Sequence, residues 1–410
     1  MMNRPELLSP AGNFEKMKAA ILYGADAVYL AGEIFGMRAA ADNFSIPELA
    51  EAVEYAHQRG VKVYLTVNTM PRENEYALLE EYFKSLENIG LDALIIADIG
   101  VLMLAKELLP NVEIHISTQA NTVSSAAARA WQSLGATRVV LARELTLEEI
   151  KAIRANIPKE LELECFIHGS MCISYSGRCL LSGHITGRDA NRGMCAQPCR
   201  WNFSIKGYEI AEEKRPGCAM PIEEHNGETF IMASRDTCTI EHIPELIEAG
   251  ISSFKIEGRM KSAYYTAVVT NTYKMAIDSY FSGNFQYNPL WYRELESVSH
   301  RDYATGYYFS DSHTDANTSE INGYIKDKAY LCVVLEYDEE RGLALCGQRN
   351  KMKVGDEIEI LTPGSVGRPF TVNEIFDTDG NPIESTPHPY MTFYMRTDRP
   401  LSVGDIIRAR

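Results

Sequence analysis

A cysteine-rich stretch offers the clearest chemistry in this 410-residue chain. Five of the nine cysteines lie between residues 164 and 201, at Cys165, Cys172, Cys179, Cys195 and Cys199. Glycines recur between them, and glycine lets a backbone fold tightly around a small group. Because thiolates gathered from separate loops are the usual ligands of iron–sulfur clusters, the stretch predicts a metal or cluster site.

Three other uses of the thiols compete with a cluster. Disulfides need an oxidising compartment, and MMNRPELLSPAG lacks the apolar segment of a secretory signal, so we expect a cytoplasmic protein with reduced thiols. Structural zinc favours paired C-x2-4-C knuckles, and only Cys195 and Cys199 resemble one. Buried structural thiols are the expectation for Cys165, Cys332 and Cys346. A cluster held by four thiolates fits the stretch best.

Composition limits the classes of protein that the chain can represent. A chain of 410 residues exceeds what one core comfortably holds, so two domains are expected. No apolar run approaches eighteen residues, so the sequence predicts no membrane span. A formal net charge of −16 argues against broad electrostatic binding of nucleic acid, because such binding depends on Lys and Arg neutralising phosphates. A local basic patch is compatible with this charge.

The elements that must position the cysteines follow a repeated pattern. A helical segment ends at a glycine and a short apolar strand follows, after Gly24, Gly60, Gly90, Gly135 and Gly250. Three further strands lack that glycine, over 6–11, 113–119 and 162–168. Eight strands alternating with helices predict a TIM-like (β/α)8 barrel, with a doubly wound open sheet as the alternative.

The glycine spacing also predicts an insertion and the domain boundaries. Gly135 and Gly250 lie 115 residues apart, whereas the earlier intervals are 30 to 45 residues. The sequence therefore predicts a cysteine-rich insertion after the seventh strand, at about 169–238, within a barrel spanning 1–283. A connector rich in Pro, Trp and Tyr is expected over 284–323. Short alternating strands predict a small C-terminal β-barrel over 324–410.

Polar side chains at the carboxyl ends of the strands are the candidates for catalysis, because a barrel builds its active site there. These are Asn13, Glu33, Asn68, Asp98, Gln119, Glu144, His168 and Glu257. Alternation along the seventh strand places Glu164, Phe166 and His168 on one face. We take His168, Glu164 and Glu257 as candidate catalytic residues. Each has a plainer interpretation as a helix cap or as a hydrogen-bonded polar group in the barrel.

The stretch ECFIHGSMCISYSGRCLLS, residues 164–182, carries a family resemblance. It matches the signature of the collagenase-like peptidase U-32 family at every defined position. PELLSPAGN at the start, GRDANRGMCAQPCRW after the signature and IEAGISSFKIEGRMKS at the eighth strand extend the resemblance over the whole chain. The last two segments resemble the branch that hydroxylates transfer RNA uridine at the wobble position.

The resemblance implies a reaction and a cofactor. In that branch the reaction forms 5-hydroxyuridine without oxygen and depends on prephenate, and sister branches hydroxylate ribosomal RNA or the ubiquinone ring. The family shares a 4Fe-4S cluster, whose ligands correspond to Cys172, Cys179 and Cys195. The fourth ligand corresponds to Cys238, with Cys199 as the alternative because its spacing suits a shared loop.

Prephenate carries two carboxylates, so cations near the site are candidate anion clamps. Arg188, Arg192, Lys255 and Arg259 are the predicted substrate-binding residues, with surface or structural ion pairs as the plainer interpretation. The expected partners are transfer RNA and a family paralogue acting as a second subunit. Two alternatives stay open, a peptidase, although no H-E-x-x-H or G-x-S-x-G motif is present, and a non-catalytic partner subunit of a hydroxylase.

Overall fold

The glycines predicted to end helices do adopt the left-handed backbone that this position requires. In the computed structural model, which describes residues 3–37, 42–200, 224–225, 228–229, 234–283, 285–310 and 324–410, φ is positive at Gly24, Gly60, Gly90, Gly135 and Gly250. Each glycine turns the chain from a helix into the next buried strand. Residues 201–223 of the predicted insertion and 311–323 of the predicted connector lie outside the described residues.

Twelve strands belong to the N-terminal part of the described chain. They are β1 (Glu6–Pro10), β2 (Ala27–Ala31), β3 (Lys62–Val67), β4 (Ala93–Ile96), β5 (Glu113–Ile116), β6 (Arg138–Val140), β7 (Glu162–Ser170), β8 (Glu224–His225), β9 (Glu228–Thr229), β10 (Asp236–Cys238), β11 (Ser253–Ile256) and β12 (Tyr303–Ala304). The helices are α1 (Phe14–Leu22), α2 (Ile46–His57), α3 (Tyr76–Leu86), α4 (Ile99–Leu108), α5 (Ser125–Ser133), α6 (Leu147–Ala155), α7 (Leu181–Thr186), α8 (Ile243–Glu248), α9 (Ala263–Phe281) and α10 (Pro289–Glu296).

Strands β1 to β7 and β11 form a closed parallel barrel. Each pairs with the next in chain order, and β11 pairs with both β7 and β1. This closure confirms the TIM-like barrel and excludes the doubly wound sheet, which would leave two open edges. The inner side of the surrounding helices packs against apolar strand residues in one continuous core.

The insertion follows β7, as the glycine spacing predicted. Strand β10 returns from it antiparallel to the end of β7, so that Cys238 lies opposite His168. Strand β12 then pairs parallel with β10 and extends this edge beyond the barrel. The predicted connector is therefore part of the barrel assembly: Trp291, Leu295 and Val298 lie in the barrel core.

The C-terminal part is an antiparallel sheet of eight strands arranged as a half-barrel. These strands are β13 (Tyr330–Asp338), β14 (Leu343–Gln348), β15 (Glu357–Leu361), β16 (Arg368–Thr371), β17 (Ile375–Phe376), β18 (Pro382–Ile383), β19 (Thr392–Arg396) and β20 (Ile406–Ala409). Cys332 and Cys346 are buried in its core, and Cys165 is buried in the barrel core, as predicted.

A buried guanidinium is among the groups that join the C-terminal sheet to the outer helices of the barrel. Arg408 on β20 donates to Glu294 of α10 at 2.7 Å, to Glu359 at 2.7 Å and to the hydroxyl of Ser297 at 3.0 Å. Its carboxylate and hydroxyl partners offset the cost of burying the charge. Among the helices of the described residues, none is long and apolar enough to cross a membrane.

Candidate functional site

The barrel interior holds a buried network of charges around Glu164 on β7. Lys255 on β11 donates to Glu164 at 2.7 Å, and Arg138 on β6 lies 3.2 Å from it. Arg138 also pairs with Glu6 at 2.6 Å and with Glu162 at 2.6 Å. Burial acts to raise the pKa of Glu164, but the charges of Lys255 and Arg138 outweigh it and hold the pKa at about 2. Glu164 is thus an ionised partner in a structural network.

Above this network, towards the carboxyl ends of the strands, lies a small polar cavity of about 60 Å³. Three cations, one carboxylate and two amides contribute to its lining: Arg143, Lys255, Arg259, Glu257, Asn68 and Gln119. Lys255 is paired with Glu164, so Arg143 and Arg259 are the cations that make this inner cavity suited to a small anion such as a carboxylate group. The predictions that Lys255, Arg259 and Glu257 lie at the barrel mouth agree with this placement.

Arg143, which was not among the predicted site residues, also lines the inner cavity. Its guanidinium donates to the carbonyl oxygen of Ser170 at 3.0 Å and lies 5.0 Å from the centre of the Phe166 ring. It follows the short strand β6, one residue before the candidate Glu144. Of the other strand-end candidates, Asn13 and Asp98 cap α1 and α4.

A second, larger cavity of about 360 Å³ lies over the first and is lined by the cysteine-rich insertion. Cys172, Cys179, Cys195 and Cys199 all line this outer cavity. Met37, Gln119, Arg143 and Glu257 line both cavities, so the two adjoin at the barrel mouth. The thiol-rich space therefore opens next to the cation-rich space.

The four thiols line one cavity, but they do not surround a common point in the way that the ligands of a metal do. Within the described ranges, no three His, Cys, Asp or Glu side chains stand in the arrangement of a metal site. The donor set nonetheless fits an iron–sulfur cluster, because four thiols face one space and the backbone N–H of Gln197 donates to the sulfur of Cys195 at 3.4 Å. Hydrogen bonds of this kind tune cluster thiolates.

The insertion is held against the barrel by close backbone approaches and by side-chain contacts. Gly177 has φ +71°, and a Cβ atom there would lie 2.8 Å from the carbonyl oxygen of Gln119. Within the insertion itself, the side chain of Asn191 accepts a hydrogen bond from the backbone N–H of Cys179 at 3.1 Å and donates one to its carbonyl oxygen at 2.8 Å. Arg192 donates to both carboxylate oxygens of Glu75, at 2.9 and 2.5 Å. These contacts fix the cysteine loop over the mouth.

Two predicted clamps therefore take part in the packing of the insertion and do not line the inner cavity. Arg192 is engaged with Glu75, and Arg188 is exposed and donates to the carbonyl of Met194 at 3.1 Å. Neither side chain lines the inner or the outer cavity. Of the four predicted clamps, the structure brings only Lys255 and Arg259 together.

Cys238 and His168 lie apart from both cavities, on the helix side of β7. Cys238 is buried in the core, where the hydroxyl of Tyr273 lies 3.8 Å from its sulfur. His168 packs against the rings of Tyr265, Tyr273 and Tyr303 at 5.3 to 5.9 Å. Burial lowers the pKa of His168 to about 3, so its imidazole is neutral at pH 7.

A β-bulge explains why His168 does not share the face of Glu164 and Phe166. Phe166 pairs with Lys255 and His168 pairs with Ile256, so Ile167 has no partner in β11. An extra residue in one strand shifts the alternation of the side chains that follow it. The prediction from strict alternation holds for Glu164 and Phe166 and is wrong for His168.

This chain belongs to peptidase family U32, on the evidence of sequence comparison. The pattern of "Peptidase family U32" matches residues 12–318, and that of "Peptidase family U32 C-terminal domain" matches residues 326–408. Together the two patterns cover the barrel with its insertion and the C-terminal sheet.

Relatives of similar length carry two kinds of name. "tRNA hydroxylation protein P1" of Bacillus subtilis (strain 168) is 38% identical over 410 residues, covering 99% of this chain and 94% of that protein. "tRNA hydroxylation protein P" of Escherichia coli (strain K12) is 34% identical over 438 residues, covering 98% and 96%. A "Collagenase" of Porphyromonas gingivalis (strain W83) is 34% identical over 375 residues, covering 88% and 87%.

Proposed function

We propose that this protein is an RNA-modifying hydroxylase that converts the wobble uridine of transfer RNA to 5-hydroxyuridine in the cytoplasm. In this proposal the reaction depends on an iron–sulfur cluster, needs no oxygen and uses prephenate as co-substrate. The observation that carries it is the pair of adjoining cavities, one lined by thiols and one by cations. Full-length similarity to two proteins named for transfer RNA hydroxylation supports the choice of substrate.

Cys172, Cys179 and Cys195 would hold the cluster on the wall of the outer cavity. Replacing the ring hydrogen of uridine by a hydroxyl, with the oxygen taken from water, releases two protons and two electrons. A bound cluster would carry these electrons one at a time to an external electron acceptor. Two residues compete as the fourth ligand: Cys238 has the family pattern in its favour, and Cys199 has its place on the cavity wall.

The inner cavity suits prephenate because of its charge. Prephenate carries two carboxylates, and Arg143 and Arg259 line a space of about 60 Å³ that suits one carboxylate group, beside the Lys255–Glu164 pair. On a chain with a formal net charge of −16, this local group of cations would attract an anion that the rest of the surface repels. The role of the chain is to bind and orient the anion beside the base.

Nucleoside mass spectrometry of transfer RNA tests the proposed reaction. Cells that lack this protein should lose 5-hydroxyuridine derivatives, and a plasmid carrying the wild-type gene should restore them. An unchanged level of these nucleosides in the deletion strain would refute the proposal.

Anaerobic purification tests the cluster separately. The protein should bind about four iron and four sulfide per chain. Cys172→Ala, Cys179→Ala and Cys195→Ala should each abolish the broad visible absorption, and Cys165→Ala, a buried core thiol, serves as the control that keeps it. Of Cys199→Ala and Cys238→Ala, the variant that loses absorption identifies the fourth ligand. A colourless wild type with one tightly held zinc would contradict the cluster.

The peptidase alternative has less structural support. A thiol nucleophile needs an adjacent base, and Cys172 lines the outer cavity whereas His168 is buried against the tyrosines of α9 and β12. Cleavage of a collagen-derived peptide by iron-free protein would favour that alternative over hydroxylation.

A further inference from the structure

Two half-exposed tyrosines stand at the rim of the outer cavity. Tyr175, in the insertion, is 51% exposed, and Tyr324, which precedes the C-terminal sheet, is 47% exposed. Both residues line the cavity that the four thiols share. They reach it from parts of the chain about 150 residues apart in sequence, so the cavity lies between a barrel insertion and the approach to the second domain.

Cations accompany these rings. The ammonium group of Lys261 lies 4.2 Å from the centre of the Tyr324 ring and itself lines the cavity. Arg178 is exposed and lies in sequence between the cavity residues Gly177 and Cys179, without lining the cavity itself. The rim thus combines aromatic faces with positive charge on a protein whose net charge is −16.

This combination matches the chemistry of single-stranded RNA. Proteins bind unpaired nucleotides by stacking bases on aromatic side chains and by contacting phosphates with Lys and Arg. An enzyme that acts on a ring carbon must also take the base out of its stack and into a pocket. The outer cavity has a volume of about 360 Å³, which is within the range of small-molecule pockets and which a base would share with the proposed cluster on its wall.

Resting on the proposed function, we propose that this rim is the docking site of a single-stranded RNA loop, and that the outer cavity admits one unstacked pyrimidine. Tyr175 and Tyr324 are the stacking surfaces, and Lys261 and Arg178 contact the flanking phosphates. Specificity for a loop follows from the charge of the protein, because an acidic chain with a few local cations gains little from the backbone of a duplex.

Binding of a labelled anticodon stem-loop RNA, measured by fluorescence anisotropy, tests the rim. Tyr175→Ala and Tyr324→Ala should each weaken binding about tenfold, the low end of the loss for a stacked base. Tyr175→Phe should bind as wild type, because it keeps the ring. Tyr390→Ala is the matched control, since Tyr390 is 79% exposed in the turn between β18 and β19. Iron content should be unchanged in all four variants.

Wild-type affinity in both alanine variants would overturn the docking site. Loss of binding to a collagen-derived peptide, with RNA binding intact, would overturn it in favour of a peptide surface. Mass spectrometry of transfer RNA nucleosides from cells that carry the wild type or a tyrosine variant separates this proposal from the function on which it rests. RNA binding that depends on the tyrosines, without 5-hydroxyuridine in the wild type, would uphold the docking site and refute the hydroxylation.

Discussion

Glu164 lies at the centre of the charge network inside the barrel, where Lys255 and Arg138 both contact it. Glu164→Gln would leave these two buried cations without their full counter-charge. We expect the variant to lose about 3–5 kcal/mol in free energy of unfolding, measured by urea denaturation. Glu162→Gln is the control: Glu162 also pairs with Arg138, but its side chain is 44% exposed, so about 0–1 kcal/mol is expected.

The same carboxylate predicts how stability depends on pH. The folded pKa of Glu164, at about 2, is below the ordinary value of about 4.3 in an unfolded chain. The stabilisation is therefore fully present above about pH 4.3 and is lost as the pH falls towards 2. Glu164→Gln should show a weaker fall in stability over this interval than wild type. A variant as stable as wild type but inactive would instead restore Glu164 as a catalytic candidate.

Arg259 offers a test of the inner cavity at the scale of one side chain. It is 3% exposed and lines the cavity next to Lys255. Arg259→Ala should reduce kcat/KM for prephenate by the equivalent of about 1.5–3 kcal/mol, the range for a hydrogen bond to a charged group. Arg188→Ala, which removes an exposed cation outside both cavities, should leave it unchanged. Loss of iron in Arg259→Ala would mark Arg259 as a structural residue.

At the scale of elements, the insertion depends on a contact with the loop after β3. Arg192 and Glu75 form a two-point ion pair with both side chains about a quarter exposed. Arg192→Ala should loosen the attachment of the insertion and lower the free energy of unfolding by about 1 kcal/mol. The expected signs are faster proteolysis within residues 171–200 and faster loss of iron. Lys84→Ala is the control, because it removes an exposed ion pair with Glu80 within α3. Equal proteolysis rates in the two variants would contradict this role.

The order of elements was predictable from the sequence because the signals are local. A glycine at the end of a helix and a β-branched strand after it are read within ten residues, and all five such glycines have the predicted backbone. Strand ends likewise placed Asn68, Gln119 and Glu257 at the cavity.

Side-chain positions that depend on pairing between distant segments could not be predicted. His168 turns away because β11 offers no partner to Ile167, which alternation along β7 alone does not show. The role of Arg192 depends on Glu75, 117 residues earlier in the chain. Arg143 lies in a loop where the alternation of a strand no longer applies.

For the whole molecule, the position of the barrel boundary is testable. Removing residues after 283 deletes Trp291, Leu295 and Val298 from the core and removes Arg301, which pairs with buried Asp236 at 2.7 Å. We expect a chain ending at 283 to unfold without cooperativity in circular dichroism, and a chain ending at 323 to unfold cooperatively at a lower Tm than the full chain. The chain that ends at 323 lacks Arg408, so Glu294 loses the guanidinium with which it pairs. Cooperative unfolding and bound iron in the chain that ends at 283 would instead show that the barrel domain ends at that residue.

The two cavities share lining side chains, among them Gln119, Arg143 and Glu257. This shared lining limits the order in which the proposed anion and RNA can bind. A nucleotide that fills the outer cavity lies across these residues and therefore covers the inner one. In the proposed reaction, the small anion would therefore have to bind before the RNA and leave after it. Steady-state kinetics should then show a compulsory order, in which excess RNA slows turnover when the anion is scarce and has no such effect when the anion is saturating.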